Sequence, residues 1–123
     1  MIAWYELVKN KRIVHSFFKF KSEFNMDEFM KVLNDKVKLI CIPFVSNCSG
    51  TVIPVKSIAE KCHEKGVKVL VDAGYGAGHK KVDVREWNAD FVLLSPKNLC
   101  GPEGINILCM RQVCSFLSNE KMA

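Results

Sequence analysis

A chain of 123 residues is at most one domain, and at that size it can bury roughly two thirds of the surface its unfolded form exposes. Its 49% hydrophobic and 25% charged residues exclude the composition of a disordered segment, and no apolar run nears the ~20 residues of a membrane span. The net charge of +5 is spread from Lys9 to Lys121 without aromatic interleaving, which reads as a solvated surface rather than a nucleic-acid stripe. The opening Met1-Ile2-Ala3-Trp4-Tyr5-Glu6 lacks the basic and apolar regions of a secretory signal, so the expected setting is cytoplasmic, with no membrane and no nucleic acid.

In chain order, Met1 to Val8 is helix-compatible and starts without a cap, like the tail of an element. Arg12 to Phe20 suits a strand, with Val14, Phe17, Phe18 and Phe20 as β-prone bulk. Asn25 or Asp27 can cap a helix carrying Phe29, Met30 and Leu33 on one face and closed by Asn34-Asp35. A buried strand follows over Val37 to Ile42. Pro54 is suited to open a helix, Val55, Ile58, Ala59 and Cys62 recur at helical spacing, and Gly66 stops the run. Further strands are expected over Val67 to Val71, Phe91 to Leu94 and Ile105 to Met110, the last returning antiparallel. Strands alternating with helical patterns predict an α/β fold, a mostly parallel sheet with helices on both faces. No repeat, low-complexity tract or linker divides the chain.

The six cysteines (Cys41, Cys48, Cys62, Cys100, Cys109, Cys114) sit among apolar residues and form no C-x-x-C pair. Buried free thiols are expected, and no metal site.

Three polar segments follow apolar strands: Phe44-Val45-Ser46-Asn47, Asp72-Ala73-Gly74, and Ser95-Pro96-Lys97-Asn98-Leu99-Cys100-Gly101-Pro102-Glu103-Gly104. Strand carboxyl ends line the ligand crevice of an open α/β sheet, so these are candidates for one pocket that takes a charged, flat cofactor. The Asp72 carboxylate would face that crevice and pair with a protonated ring nitrogen; the bland alternative is that it caps a turn. Gly74-Tyr75-Gly76-Ala77-Gly78 has G-x-G-x-G spacing and leads into His79-Lys80-Lys81, so it is not a dinucleotide loop.

Taken together, Val45-Ser46-Asn47-Cys48-Ser49-Gly50-Thr51-Val52-Ile53-Pro54-Val55, Asp72-Ala73-Gly74-Tyr75 and Asp90 through Gly104 resemble the class V aminotransferases, most closely their cysteine desulfurase and selenocysteine lyase branch. The resemblance covers Val37 to Met110. It implies the large-domain fold of that family, pyridoxal 5′-phosphate as cofactor and an amino-acid substrate. Asp72 would pair with the pyridine nitrogen, Asn47 would sit beside cofactor and substrate carboxylate, and Ser95 would bond the phosphate.

The departures are as informative. Tyr75 stands where the family places a glutamine on the phenolic oxygen. In the ungapped register Asn98 takes the place of the lysine that anchors the cofactor covalently, and Lys97 that of a phosphate-contacting histidine. A one-residue shift would instead make Lys97 the catalytic lysine. No cysteine matches the sulfur-accepting nucleophile, and the stretch resembles only the middle of the large domain (residues 1–123). The expectation is therefore a truncated, desulfurase-like chain without independent catalysis, completed by a homodimer or a companion chain. The alternatives are one half of a split enzyme, or a non-catalytic remnant that acts through protein contacts.

Overall fold

A computed structural model describes residues 2–10, 13–19 and 23–111, with side chains from residue 6 onward. Four strands, β1 (Leu39–Pro43), β2 (Lys68–Asp72), β3 (Phe91–Leu94) and β4 (Ile107–Met110), make one sheet in that spatial order. β1, β2 and β3 run parallel and β4 returns antiparallel to β3. The sheet is mostly parallel, as the alternation of apolar runs with helical patterns predicts.

Register decides which residues share a face. Ile40 lies opposite Val69, Ile42 opposite Val71, Val71 opposite Val92, and Val92 opposite Cys109. With side chains alternating along each strand, these residues form one apolar face. Helix α3 (Val55–Glu64) covers it with Val55, Ile58, Ala59 and Cys62, all at most 2% exposed. Those are the four positions that the helical spacing singles out, and Gly66 ends the run at φ +69°. Each large apolar side chain buried there contributes about 1.5–3 kcal/mol.

Two shorter helices complete that layer. Asn25 caps α2 (Met26–Val32) by accepting from the Glu28 N–H at 3.1 Å, and Phe29 and Leu33 enter the core. The four-residue α4 (Val84–Trp87), which the sequence reading passed over, is capped by Asp83, whose Oδ1 accepts from Glu86 N at 3.0 Å. It delivers Trp87 against Phe44, ring centroids 4.5 Å apart. At the amino end, α1 spans Ile2–Lys9.

Two expectations need correction. Residues 13–19 form no strand: Val14 is 97% and Phe17 69% exposed, and only Phe18 packs inward, edge-on to Phe24 and Phe29. β-prone residues make a strand only where a neighbour supplies a ladder, and none does so here among the described residues. Arg12 and Phe20 lie outside the described residues. β4 is an exposed edge rather than a core strand, with Ile107, Leu108 and Met110 each open to solvent. The helices that feed the core lie on one face. The other face (Cys41, Leu70, Phe91, Leu93, Leu108 and Met110) stays half-buried or exposed among the described residues.

The thiols divide in the same way. Cys62 is buried, Cys109 is half-buried, and Cys41, Cys48 and Cys100 are exposed, because they lie on the open face or in strand-end loops. Apolar sequence neighbours alone therefore overstate their burial. Cys114 is outside the described residues.

Candidate functional site

The sheet has two polar ends. At the amino end, Asp90 precedes β3 and is 2% exposed. Its carboxylate accepts from the His63 ring (Nε2 at 2.8 Å), from Lys68 Nζ (2.8 Å) and from the Val69 N–H (3.0 Å). Its backbone carbonyl accepts from Arg111 N at 2.9 Å. Burial alone would raise this carboxyl's pKa, but the bonds from Lys68, His63 and Val69 outweigh it and hold the value below the ordinary carboxylate range. Burial, then the nearby Asp90 charge, push the Cys62 thiol up to about 11. A cavity of about 370 Å³ opens beside this cluster, bordered by His63, Lys68, Asn88 and Arg111. Every bond that Asp90 makes joins α3, β2, β3 or the end of β4 to another, so the cluster is structural.

The carboxyl end is built differently. Asp72 is the last residue of β2, and the ladder continues past it: Phe44 N donates to Asp72 O at 2.7 Å and Ala73 N to Leu93 O at 2.8 Å. The backbone is thus fixed while the carboxylate remains exposed. Its Oδ1 accepts from Gly74 N at 2.9 Å, which leaves most of its acceptor capacity for a ligand. Asp72 therefore closes a turn, and its side chain is exposed.

Gly74 is the meeting point. A Cβ built there would lie 3.1 Å from Asp72 Oδ1 and 3.5 Å from Ser95 Cβ, so Asp72 and Ser95 flank the same residue from β2 and β3. Ser95 starts the 3-10 turn Pro96–Leu99, yet its hydroxyl caps none of that turn's N–H groups. Asn98, in the same turn, reaches back: Nδ2 donates to Gly74 O at 2.5 Å. A Cβ at Gly76 would collide with the Phe44 ring, and Gly78, at φ +89°, passes against the Asn98 carbonyl. The glycines that look like a dinucleotide loop thus serve close packing of two strand-end loops.

The remaining predicted residues sit on the segments that follow the strands. Tyr75 belongs to the same turn as Gly74 and is 61% exposed. Asn47 sits on the loop after β1, exposed, its Oδ1 accepting from Cys48 Sγ at 3.4 Å. Lys97 extends outward, its Nζ 2.8 Å from Glu103 Oε1. The described contacts relate Asp72, Ser95 and Asn98 through Gly74, whereas Lys97 pairs with Glu103. Sequence reading missed the Asn98–Gly74 bond and the Asp90 cluster; both pair residues more than twenty positions apart, and no local pattern encodes such pairs.

For a phosphorylated pyridinium ligand these residues fit in part. A strand-end carboxylate suits the ring nitrogen and the Ser95 hydroxyl suits a phosphate oxygen. The place that resembles the covalent anchor holds an amide, and the neighbouring amine pairs with Glu103.

The aminotransferase class-V family model matches residues 1–119, so the chain belongs to that family, α1 and α2 included. Membership implies dependence on pyridoxal 5′-phosphate. Within the family the chain is similar to cysteine desulfurases. It is 34% identical over 110 residues to the probable cysteine desulfurase of Halalkalibacterium halodurans, covering 88% of this chain and 27% of that protein. It is 38% identical over 87 residues to the cysteine desulfurase of Synechococcus elongatus, covering 71% and 14%. The apo cysteine desulfurase of Thermococcus onnurineus superposes with a TM-score of 0.81 at 27% identity, over 91% of this chain and 28% of that one. The chain therefore spans about a quarter or less of the length of these relatives.

Proposed function

We propose that the chain carries the strand-end portion of a pyridoxal 5′-phosphate site of the cysteine desulfurase type. The observation that supports this is the placement of Asp72 and Ser95 on either side of Gly74, at the carboxyl ends of adjacent parallel strands. When bound, the cofactor supplies an electron sink for chemistry at an amino acid's α-carbon. Asp72 would hold the ring nitrogen protonated, Ser95 would donate to the phosphate, and Tyr75 and Asn47 would border the ring and the amino-acid substrate.

Residues 1–123 act as part of the family's large domain, in a cytoplasmic setting where thiols stay reduced. The rest of the pocket comes from a second copy or a companion chain, which would cover the sheet face around Leu70, Leu93 and Leu108. Apolar surface of that kind commonly marks an interface. The isolated chain should accordingly self-associate, and Leu108→Lys should reduce the association seen by sedimentation.

Sulfide release from cysteine by this chain alone is not expected, since Lys97 faces Glu103. The same ion pair, with Asn98 in the crevice, favours a second reading: a remnant that keeps the fold and acts through protein contacts. Titration with pyridoxal 5′-phosphate separates the two. Saturable binding weakened about tenfold or more by Asp72→Asn, the loss of one charge-assisted bond, supports the first reading. Binding unaffected by Asp72→Asn and Ser95→Ala sinks it.

A further inference from the structure

Asp90 is committed to the fold, but the cations around it are not. Its Oδ2 accepts from His63 Nε2 and the Val69 N–H, and its Oδ1 from Lys68 Nζ, which leaves the Lys68 ammonium with further donors. Asp90 is the only acid among the described residues that border the cavity of about 370 Å³ beside it. Arg111 borders the same cavity. Its backbone N–H is fixed on the Asp90 carbonyl, and its guanidinium has no hydrogen bond or ion pair among the described residues. Asn88, held at the left-handed φ of 52° where α4 ends, adds an amide whose side chain is equally uncommitted there. His63 is not one of the donors: a carboxylate only accepts, so Nε2 carries the proton and Nδ1 of the neutral ring is an acceptor. A second cavity, of about 440 Å³, adjoins the first across Asn88 and Arg111. Val84, Val92 and Met110 give it an apolar wall, and Arg85 adds a guanidinium that likewise lacks an ion pair among the described residues.

We propose that Lys68, Asn88 and Arg111 bind the phosphate of a small phosphomonoester, whose apolar part lies in the adjoining cavity. The lining of the first cavity is rich in donors and cations, so its ligand must bring acceptor oxygens and negative charge. A phosphate brings both: the planar guanidinium fork can meet two of its oxygens at once, and the ammonium acts as a point charge. Each cavity falls within the roughly 300–1,000 Å³ range of small-molecule pockets. The chain's net charge of +5 favours the approach of an anion. This site does not depend on the reading of Asp72 and Ser95, because Lys68 begins β2 and Asp72 ends it.

The full 123-residue chain is titrated at low salt with phenyl phosphate and, separately, with inorganic phosphate, and binding is followed by the ligand's phosphorus resonance. Phenyl phosphate should bind saturably and several-fold more tightly than inorganic phosphate, through the apolar surface it buries. Arg111→Gln should weaken it about tenfold or more, the loss of a charge-assisted bond. Thermal melting of that variant should match wild type, since the guanidinium has no partner among the described residues. Lys56→Gln removes the same charge from an exposed position on α3 and should change the affinity less than about twofold. The absence of saturable binding overturns the proposal. So does equal weakening by the two substitutions, which would mean attraction by net charge alone. Weakening by Ser95→Ala with none by Arg111→Gln also overturns it and assigns the phosphate to the other end of the strands. Equal affinities for the two probes overturn the placement of the apolar part in the second cavity.

Discussion

The two ends of the sheet each hold an aspartate, and their surroundings are opposite. Asp90 is 2% exposed and takes three side-chain bonds, from His63, Lys68 and Val69. Asp72 is exposed and takes one, from a residue two positions on. A buried carboxylate left without partners is costly, so its partners must be built into the fold; an exposed one tolerates being left open. Saturation marks the end that holds the protein together, and residual acceptor capacity marks the end proposed above to meet a ligand.

Removing each aspartate tests this contrast with the largest expected effect. Asp90→Ala leaves the Val69 N–H and the His63 ring without an acceptor and should lower stability to urea by about 2–4 kcal/mol. Asp72→Ala should lie within about 1 kcal/mol of wild type, as a surface change that removes one local bond. Equal losses would erase the distinction between a structural end and a binding end.

Gly76 probes the packing behind the binding end. A Cβ there would meet the Phe44 ring, which is already packed on Trp87. Gly76→Ala should cost about 1–3 kcal/mol, the usual range for overpacking. A neutral result in thermal melting would mean that the loop after Asp72 yields freely, and that Phe44 does not fix the crevice.

A pH effect follows for Asp90. Its folded pKa is lowered from the ordinary 3.8, so the native state binds fewer protons there than the unfolded chain. That contribution to stability is complete above the unfolded value and is lost as pH falls through the lowered folded value. Melting temperature should therefore drop in acid more steeply for wild type than for Asp90→Asn. Parallel acid profiles would remove the linkage.

Much of this architecture was legible in the sequence because it rests on local pattern. The face of α3 was written in the spacing of Val55, Ile58, Ala59 and Cys62, and β2 and β3 in short apolar runs that end in polar residues. The cap at Asn25 was readable for the same reason. What failed was whatever depends on a neighbour: residues 13–19 have β-prone side chains but no ladder, and β4 has strand composition but an uncovered surface. α4 was missed although Asp83 and Glu86 carry an N-cap signature, because four residues show no periodicity. In the site, Asp72 and Ser95 were readable as strand-end residues. Which partners positions 97 and 98 take was not, since the Asn98–Gly74 and Lys97–Glu103 contacts are set by how the folded loops meet and not by residue pattern.

The smallest predicted effect distinguishes those two neighbours. Lys97 and Glu103 form an ion pair with both side chains largely exposed, 63% and 76%. Such pairs contribute about 0–1 kcal/mol and weaken with salt, because water screens the attraction and two long side chains lose freedom to hold it. Lys97→Ala should therefore leave the melting temperature nearly unchanged, more so at high salt. Asn98→Ala, which frees the Gly74 carbonyl and unties two strand-end loops, should lower it measurably, by roughly 0.5–1.5 kcal/mol in stability for the one neutral bond lost. If Lys97→Ala proved the more damaging of the two, the side chain that turns toward the crevice would be Lys97. The contrast between a fixed Asn98 and an outward lysine would then fail.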